Sequence, residues 1–530
     1  MWGALRYDVF RRLWVATVVS NVGGWMFNAA CGWLMTSLNP NPFIVSMVQV
    51  ANSLPLFLVA LPAGALADMI DRRRFILALE IATTFTGAAF AVLVALHAVT
   101  PGVLLLFLLL VGTLAALETP AWQAIVPLLV PQQALPSAIA VNSVGVNISR
   151  VLGPALTGIV ILIGGIAAPF WLDAVSNFGV IAVIFAWRPP AKPKRALPAE
   201  HLASAIRTGV RYARNNRALR ATLVRSVGFF LFASAYWALL PVLAHTQLHG
   251  GPTLYGVLLG VIGAGAVGGA FLLPHTKGHL SADGVVVCGE AGTALALVLF
   301  GAAQQAWVAM LACLVAGAAW IAVLASLNVS AQMALPEWVR GRGLAAYVTV
   351  FFGTMAIGSA LWGFVADRIG LPSAHYAAAG GALLAMFATR RWKLHSGAQV
   401  DLTPSAHWPQ PVLAGAVEED AGPVLVTVDY RVAPENQPAF LALLADVERE
   451  RRRDGAYHWA VYRDTAHPDR ILETFLVDSW IEHLRQHQRV TKADRLTEEC
   501  VRRFAREPPR VTHYVAAEEA PPAAEGAADT

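Results

Sequence analysis

Charge is what this chain has least of. Only 14% of its 530 residues are Asp, Glu, Lys or Arg, and mean hydropathy is +0.55. A soluble domain carries about 25% charged residues, so most of this chain belongs in lipid. Cysteine is scarce as well. Cys31, Cys288, Cys313 and Cys500 make no CxxC pair, and three of them fall in apolar runs. They read as small core residues, with neither a disulfide framework nor a zinc site. No Walker motif is present, which argues against ATP as the energy source. The glycines 256, 260, 263, 265, 268 and 269 lack the strand–turn–helix context of a nucleotide fingerprint and read as close helix packing. The net charge of +5 does not point to nucleic acid, because the basic residues flank apolar runs.

The shortage of charge is uneven. Residues 1–390 are very apolar, whereas 418–510 are rich in Arg, Asp, Glu and His, which predicts a membrane domain followed by a soluble one. Arg6, Arg11 and Arg12 precede a long apolar run and mark a cytoplasmic start with a first span, not a cleaved signal. A spanning helix needs about 20 apolar residues. Twelve stretches qualify, at about 13–38, 43–67, 75–97, 101–118, 137–163, 168–187, 221–244, 253–273, 284–301, 305–329, 342–365 and 371–389.

Loop charge gives the orientation. With the N-terminus inside, the inner segments hold 21 Lys and Arg residues, nine of them from Arg188 to Arg220, while the outer loops hold Arg368. That asymmetry predicts a multi-pass protein of the cell membrane with both termini cytoplasmic. An internal repeat accompanies it. Val130-Pro131 and Leu335-Pro336 each precede a span. Gly153-Pro154-Ala155-Leu156-Thr157-Gly158 and Gly358-Ser359-Ala360-Leu361-Trp362-Gly363 follow at the same distance, offset by 205 residues. The fifth span therefore matches the eleventh, and the chain reads as two parallel six-helix halves, 1–187 and 221–392, joined by a basic cytoplasmic linker, 188–220.

Residues 393–422 read as a flexible linker. Beyond them the periodicity changes. Residues 424–432 alternate as a strand, 434–453 are helical, 456–463 and 470–477 are strands around the turn 465–469, 479–504 form one long amphipathic helix, and 510–515 a last strand. The order βαββαβ predicts a small α+β, ferredoxin-like domain over 423–515. The tail 516–530, rich in Ala, Glu and Pro, is expected to be disordered.

Ionisable groups inside lipid are costly and are functional candidates by default. Arg150 lies deep in the fifth span, with Asn147 and Asn142 about one and two turns earlier; a structural pairing of Arg150 with Asp173 or Glu118 is the alternative. Glu118 ends the fourth span beside Pro120, a residue able to break the helix there. It is either a proton-binding carboxylate or, preferred here, a cytoplasmic partner for the arginines 72–74. Asp173 and Glu290 are further candidate proton sites, and Arg225 reads as an interfacial anchor. Trp25, Trp33, Trp122, Trp171, Trp237 and Trp320 fit either interfacial belts or an aromatic cavity lining. In the soluble domain His483 and His487 stand at i, i+4, a metal-capable spacing without an evident third ligand, so no metal or cofactor is assigned. Tyr457, His458, Trp459 and Tyr462 can fringe a pocket.

The turn Gly64-Ala65-Leu66-Ala67-Asp68-Met69-Ile70-Asp71-Arg72-Arg73-Arg74 resembles the signature between the second and third helices of the major facilitator superfamily. Met69 stands where that family often has Arg, and Asp71 where it usually has Gly. In this reading Gly64 lets two helices approach, Asp68 faces the N-terminal end of the next helix, and Arg72, Arg73 and Arg74 hold the cytoplasmic surface. Gly153-Pro154, with Gly158 after it, resembles the helix-five motif of proton-coupled exporters, Ser149 replacing a further glycine. Glu118-Thr-Pro-Ala-Trp-Gln123 and Leu335-Pro-Glu-Trp-Val-Arg-Gly-Arg342 are similar to the enterobactin-exporter-like branch. Residues 480–491 resemble the second helix of antibiotic-biosynthesis-monooxygenase-like domains, which are dimeric.

The resemblance implies a secondary active transporter, not an enzyme: a proton-driven exporter of a siderophore, drug or other amphipathic small molecule that works by alternating access. Protons, the bilayer and a second copy bound through the C-terminal domain are the implied partners, without nucleic acid. Import of a small molecule is one alternative. A membrane-anchored, cofactor-independent monooxygenase is another, and a sensor without flux is a weaker third.

Overall fold

The computed structural model describes residues 2–188, 202–277, 280–336, 338–394, 401–405, 407–408, 415, 417–418 and 420–516. They fall into two compact units. The first comprises Met1–Ala203, Ala221–Gln332 and Leu344–Ser396; the second comprises Ser204–Arg220, Met333–Gly343 and Gly397–Thr530.

Twelve long helices match the twelve apolar stretches: α1 (Asp8–Leu38), α2 (Pro42–Met69), α3 (Arg72–Ala95), α4 (Pro101–Ile125), α5 (Leu135–Gly164), α6 (Ala168–Ala186), α8 (Arg217–Val242), α9 (Pro252–Lys277), α10 (Ala282–Ala302), α11 (Ala306–Met333), α12 (Arg340–Ile369) and α13 (Leu371–Thr389). Helix α7 (Leu202–Asn215) lies in the basic segment between the halves. Ten of these helices are long and apolar enough to cross a membrane. The other two, α1 and α13, are of spanning length but more polar. In α1 the stretch Met26–Thr36 is buried except at Asn28.

Local chemistry sets the ends. Thr100, Asp71 and Ser281 each accept a backbone N–H of the first turn of α4, α3 and α10. Gly165 and Gly370 turn the chain at φ +78° and +86°, in the region that favours glycine. Pro120 does not break its helix, contrary to expectation: α4 continues through it to Ile125. Neighbouring helices in a bundle tolerate such an interruption.

The second unit contains β1 (Val424–Arg431), α14 (Gln437–Asp454), β2 (Tyr457–Arg463), β3 (Arg470–Val477), α15 (Trp480–Arg489), α16 (Lys492–Arg502) and β4 (Arg510–Val515). The strands form one antiparallel sheet in the order β2-β3-β1-β4, which is the ferredoxin-like arrangement. One face is buried: Val424, Val426, Val428 and Tyr430 of β1 and Ile471, Phe475 and Val477 of β3 pack on Phe440, Leu444 and Val447 of α14 and on Trp480. The register puts Tyr457, Tyr462, Leu472, Leu476, Leu425 and Tyr514 on the opposite face.

The single long helix expected over 479–504 is two helices. Val490 leaves the helical conformation, and Thr491 starts α16 with a reciprocal capping box to Asp494. The expected disordered tail lies outside the described residues, apart from Ala516, as do half of 393–422 and residues 189–201.

Candidate functional site

Three carboxylates meet inside the first half of the bundle. Glu80 of α3 and Asp173 of α6 are only 7% and 6% exposed, and Glu118 of α4 is half-buried. Glu80 and Glu118 face each other through their carboxyl groups. Asp173 lies between α1 and α3, close to Gly23, Gly24 and Gly87; a methyl at Gly23 would stand 2.9 Å from the Asp173 backbone and 3.2 Å from its Oδ1. The preferred expectation for Glu118, a partner for the arginines 72–74, is therefore corrected to a partner for Glu80.

Helix α5 is held by small residues on two sides. A methyl at Gly153 would sit 2.5 Å from Trp25 and 2.8 Å from the Val22 carbonyl of α1; one at Gly158 would sit 2.7 Å from the Pro252 carbonyl at the start of α9. Gly256 and the carbonyl of Pro154 come into the same crossing. Ser149 uses its hydroxyl at 3.0 Å from the Val18 and Gly145 carbonyls, an inter-helix hydrogen bond that glycine cannot make. Arg150 pairs with neither Asp173 nor Glu118 among the described residues. Its guanidinium lies over Trp25 at 5.4 Å, and its Nε has no hydrogen-bond partner there. Asn142 is half-buried; Asn147 is exposed and donates to Ser143 of its own helix.

The second half repeats the position and changes the partner. Glu290 lies eight residues into α10, as Glu80 lies eight residues into α3. Its Oε2 is 3.5 Å from Nη2 of Arg225, whose Nη1 is 3.6 Å from Asp283. Arg225 is 1% exposed, so the expectation of an interfacial anchor is corrected to a buried charge. Trp237 and Trp320 pack against each other, Trp320 also meeting Phe230 and Phe351, while Trp33 stacks on Tyr255 across the halves. These three belong to the packed interior. Trp122 joins the core around Ile76 and Ile125, and Trp171 faces outward.

In the turn after α2 the capping carboxylate is Asp71, which accepts from the Arg74 N–H at 2.9 Å. Arg73 reaches the last turn of α6, donating to the Ile184 and Phe185 carbonyls at 3.0 and 2.5 Å. It thereby satisfies carbonyls that a helix C-terminus leaves open. The surroundings of Gly64 and the side chain of Asp68 lie outside what is described, and Arg72 begins α3.

The second unit is held by buried ion networks. Arg451 lies between Glu473 and Glu498, at 3.4 and 2.9 Å. Glu473, wholly buried in the sheet core, also accepts from Tyr430 and Trp459. Burial alone would push the Glu498 carboxyl up, but Arg451, His407 and Trp408 together hold it at about 2. Arg453 grips Asp454 and Asp494 with two hydrogen bonds each. His483 and His487 approach to 3.3 Å between their Nε2 atoms, and His513 of β4 closes the group. Burial, then the neighbouring imidazoles, lowers His483 to about 3; burial, His513 and Arg451 lower His487 to about 4. Trp459 packs on the core, while Tyr457 is on the other sheet face, so the expected fringe of one pocket is not assembled. Glu482 of α15 receives Arg211 of α7 at 3.5 Å and Arg489, whose guanidinium also lies over Trp338 at 4.7 Å.

The family profile described as transmembrane secretion effector matches residues 1–521. The chain belongs to that family. It is 23% identical over 360 residues to the staphyloferrin A transporter of Staphylococcus aureus (strain NCTC 8325 / PS 47), covering 66% of this chain and 87% of that protein. It is 27% identical over 388 residues to the enterobactin exporter EntS of Shigella boydii serotype 4, covering 71% and 90%. Among solved structures, a POT family transporter in complex with a thioalcohol-conjugated peptide aligns with a TM-score of 0.59 at 12% identity, over 72% of this chain and 94% of that one. A bacterial homologue of the iron transporter ferroportin in an inward-facing state aligns at 0.56 and 15% identity, over 72% and 98%. At such identities the structures establish the fold. This transmembrane secretion effector is a multi-pass membrane transporter of small molecules, of the major facilitator fold, and not an enzyme.

Two residues of this secretion effector escaped the sequence reading. Glu80 carried a usable signal, an acid inside an apolar run. His513 carried none, since nothing in the spacing between it and His483 relates a strand to a helix.

Proposed function

We propose that this transporter exports a siderophore-like or other amphipathic small molecule in exchange for protons. The six-helix halves 1–187 and 221–392 rock about a central site, and the basic loops and both termini face the cytoplasm. The observation that carries the proposal is the Glu80–Glu118 pair: two acids face each other inside an apolar bundle, without a cation among their described contacts, and a shared proton would relieve their repulsion. Loss or gain of that proton changes the charge of the site and so biases which side is open. Arg150 and Asp173 are the further candidates for cargo binding and coupling. The cargo class follows the names of the two relatives, one a staphyloferrin A transporter and one an enterobactin exporter.

Contacts between the halves support an inward-open state. Asn41 donates to Asp367 at 2.5 Å, Trp33 stacks on Tyr255, and α5 crosses α9 at Gly158 and Gly256. All three lie toward the ends of the helices opposite the basic loops. The uncovered sheet face with Tyr462, Leu472, Leu476 and Tyr514 supports a homodimer through the second unit.

The test is to compare iron-chelating and other small molecules in cells and medium, with and without the protein, each with and without a protonophore. Export predicts a compound that accumulates in cells lacking the protein and in protonophore-treated cells carrying it. Depletion inside cells lacking the protein would reverse the direction, and an unchanged distribution would sink the proposal.

A further inference from the structure

We propose that His483, His487 and His513 form a three-imidazole site for a divalent transition metal of the Zn2+ class. Two helix residues one turn apart supply one edge of the site, and β4 supplies the third ligand. The ligating nitrogens lie within 4.8 Å of one another. The Nε2 atoms of His483 and His487 are 3.3 Å apart. Tetrahedral zinc with Zn–N bonds of about 2.05 Å sets its nitrogens about 3.3 Å apart, so this edge already has the spacing that the metal requires.

The surroundings suit ligation. His483 Nδ1 stands 3.3 Å from Gln486 Oε1, a wholly buried carbonyl acceptor. That contact places the ring proton on Nδ1 and leaves the Nε2 lone pair facing the cluster, as second-shell acceptors do in metal sites. Trp480 packs on His483 and, edge-on, near His513, while Trp408 meets the His487 ring. The nearest cations are already committed: Arg451 to Glu473 and Glu498, and His407 to Glu498.

Ligand chemistry selects the metal. Among the described residues, no carboxylate or thiolate belongs to the group. Mg2+ and Ca2+ need oxygen ligands and are excluded. The two-histidine, one-carboxylate set of non-haem Fe2+ is absent there as well, leaving Zn2+, with Ni2+ and Cu2+ as imidazole-binding competitors. Three protein ligands leave a fourth position open for water or another donor.

The site also has a mechanical connection. Helix α15 carries Glu482 and Arg489, which hold Arg211 of α7 and Trp338. A metal joining α15 to β4 stiffens the element on which those contacts are built.

The experiment uses the full-length chain, purified in detergent without a histidine tag, stripped with EDTA, then dialysed against ZnCl2 and assayed by elemental analysis. The wild type should retain one zinc per chain. His487→Gln and His513→Gln, at partly exposed positions, should each weaken zinc at least about 100-fold, more than loss of an outer-shell partner does. Their metal-free melting should match that of the wild type. Cys288→Ser with Cys500→Ser, which removes the exposed thiols, should change nothing. Co2+ should give the visible absorption of a four-coordinate site in the wild type and not in the histidine variants. Hydrogen exchange at residues 207–215 should slow with zinc in the wild type alone. Zinc binding that survives both histidine variants, or a wild type that retains none at micromolar free metal, overturns the site.

Discussion

Glu80 and Glu290 occupy the same step of equivalent helices, so the same substitution at each should have opposite consequences. Glu290→Gln removes the nearest negative charge from Arg225, which is 1% exposed. Asp283 remains, at 3.6 Å and with a side chain 29% exposed, and it already accepts the Leu394 N–H at 3.0 Å. Removing one partner of a buried ion pair costs about 3–5 kcal/mol, because the other charge is left without compensation. Glu80→Gln leaves no orphan charge. Its amide can donate to Glu118 in place of the carboxyl proton, so the stability change should stay near 1 kcal/mol, the worth of an ordinary hydrogen bond. Export should instead lose its sensitivity to a protonophore. The assay pairs thermal unfolding in detergent with transport measured with and without a proton gradient. A third variant sharpens it: Arg225→Met with Glu290→Leu exchanges the pair for apolar side chains and should recover most of the stability lost in Glu290→Gln. A Glu290→Gln protein as stable as the wild type would refute the buried-pair argument. A Glu80→Gln protein whose export still collapses with protonophore would refute the proton site.

Gly158→Leu places a side chain where even a methyl would stand 2.7 Å from the Pro252 carbonyl; expression should persist while flux falls at least about 10-fold, the scale of a 1.4 kcal/mol barrier change, and normal flux would show that this crossing need not close. Arg453→Met leaves Asp454 and Asp494 buried without their shared cation; the second unit should lose about 3–5 kcal/mol, read by hydrogen exchange across α14 and α16 in the full chain. Glu498 is held at about 2 in the folded chain, below the ~4.3 of an exposed Glu. Its contribution of about 3 kcal/mol is therefore complete above pH ~4.3 and is lost as pH falls from there through 2. Pepsin cleavage of the second unit should rise over that window, and Glu498→Gln should flatten the rise.

Patterns of one element at a time were legible in the sequence. Apolar length placed twelve helices, and period-two alternation placed β1 and β3, because burial of a single helix or strand is written in its own residues. The order of elements then constrained the sheet. The break at Val490-Thr491 was legible too, since Thr491 and Asp494 have capping spacing, but the amphipathic pattern continues across it and masks it. Partners were not legible. Arg225 looks from its span like an anchor because nothing local shows that α10 brings two acids beside it. Glu118 looks like a partner for arginines because it ends its apolar span on the side expected for the arginines that open α3, whereas the residue it meets, Glu80, is two turns further along that helix.

That limit explains why the two halves can descend from one repeat and still differ in chemistry. A carboxylate sits equally far into α3 and α10, but what faces it differs. Against Arg225, Glu290 stands in a buried ion cluster that also includes Asp283. Against Glu118, Glu80 faces another acid with no cation among its described contacts, the arrangement on which the proposed proton coupling rests. A carboxylate fixed by a cation resists protonation, whereas a carboxylate fixed by another carboxylate depends on it. The proposal therefore assigns the response to a proton gradient to the first half, and Glu80→Gln is its test.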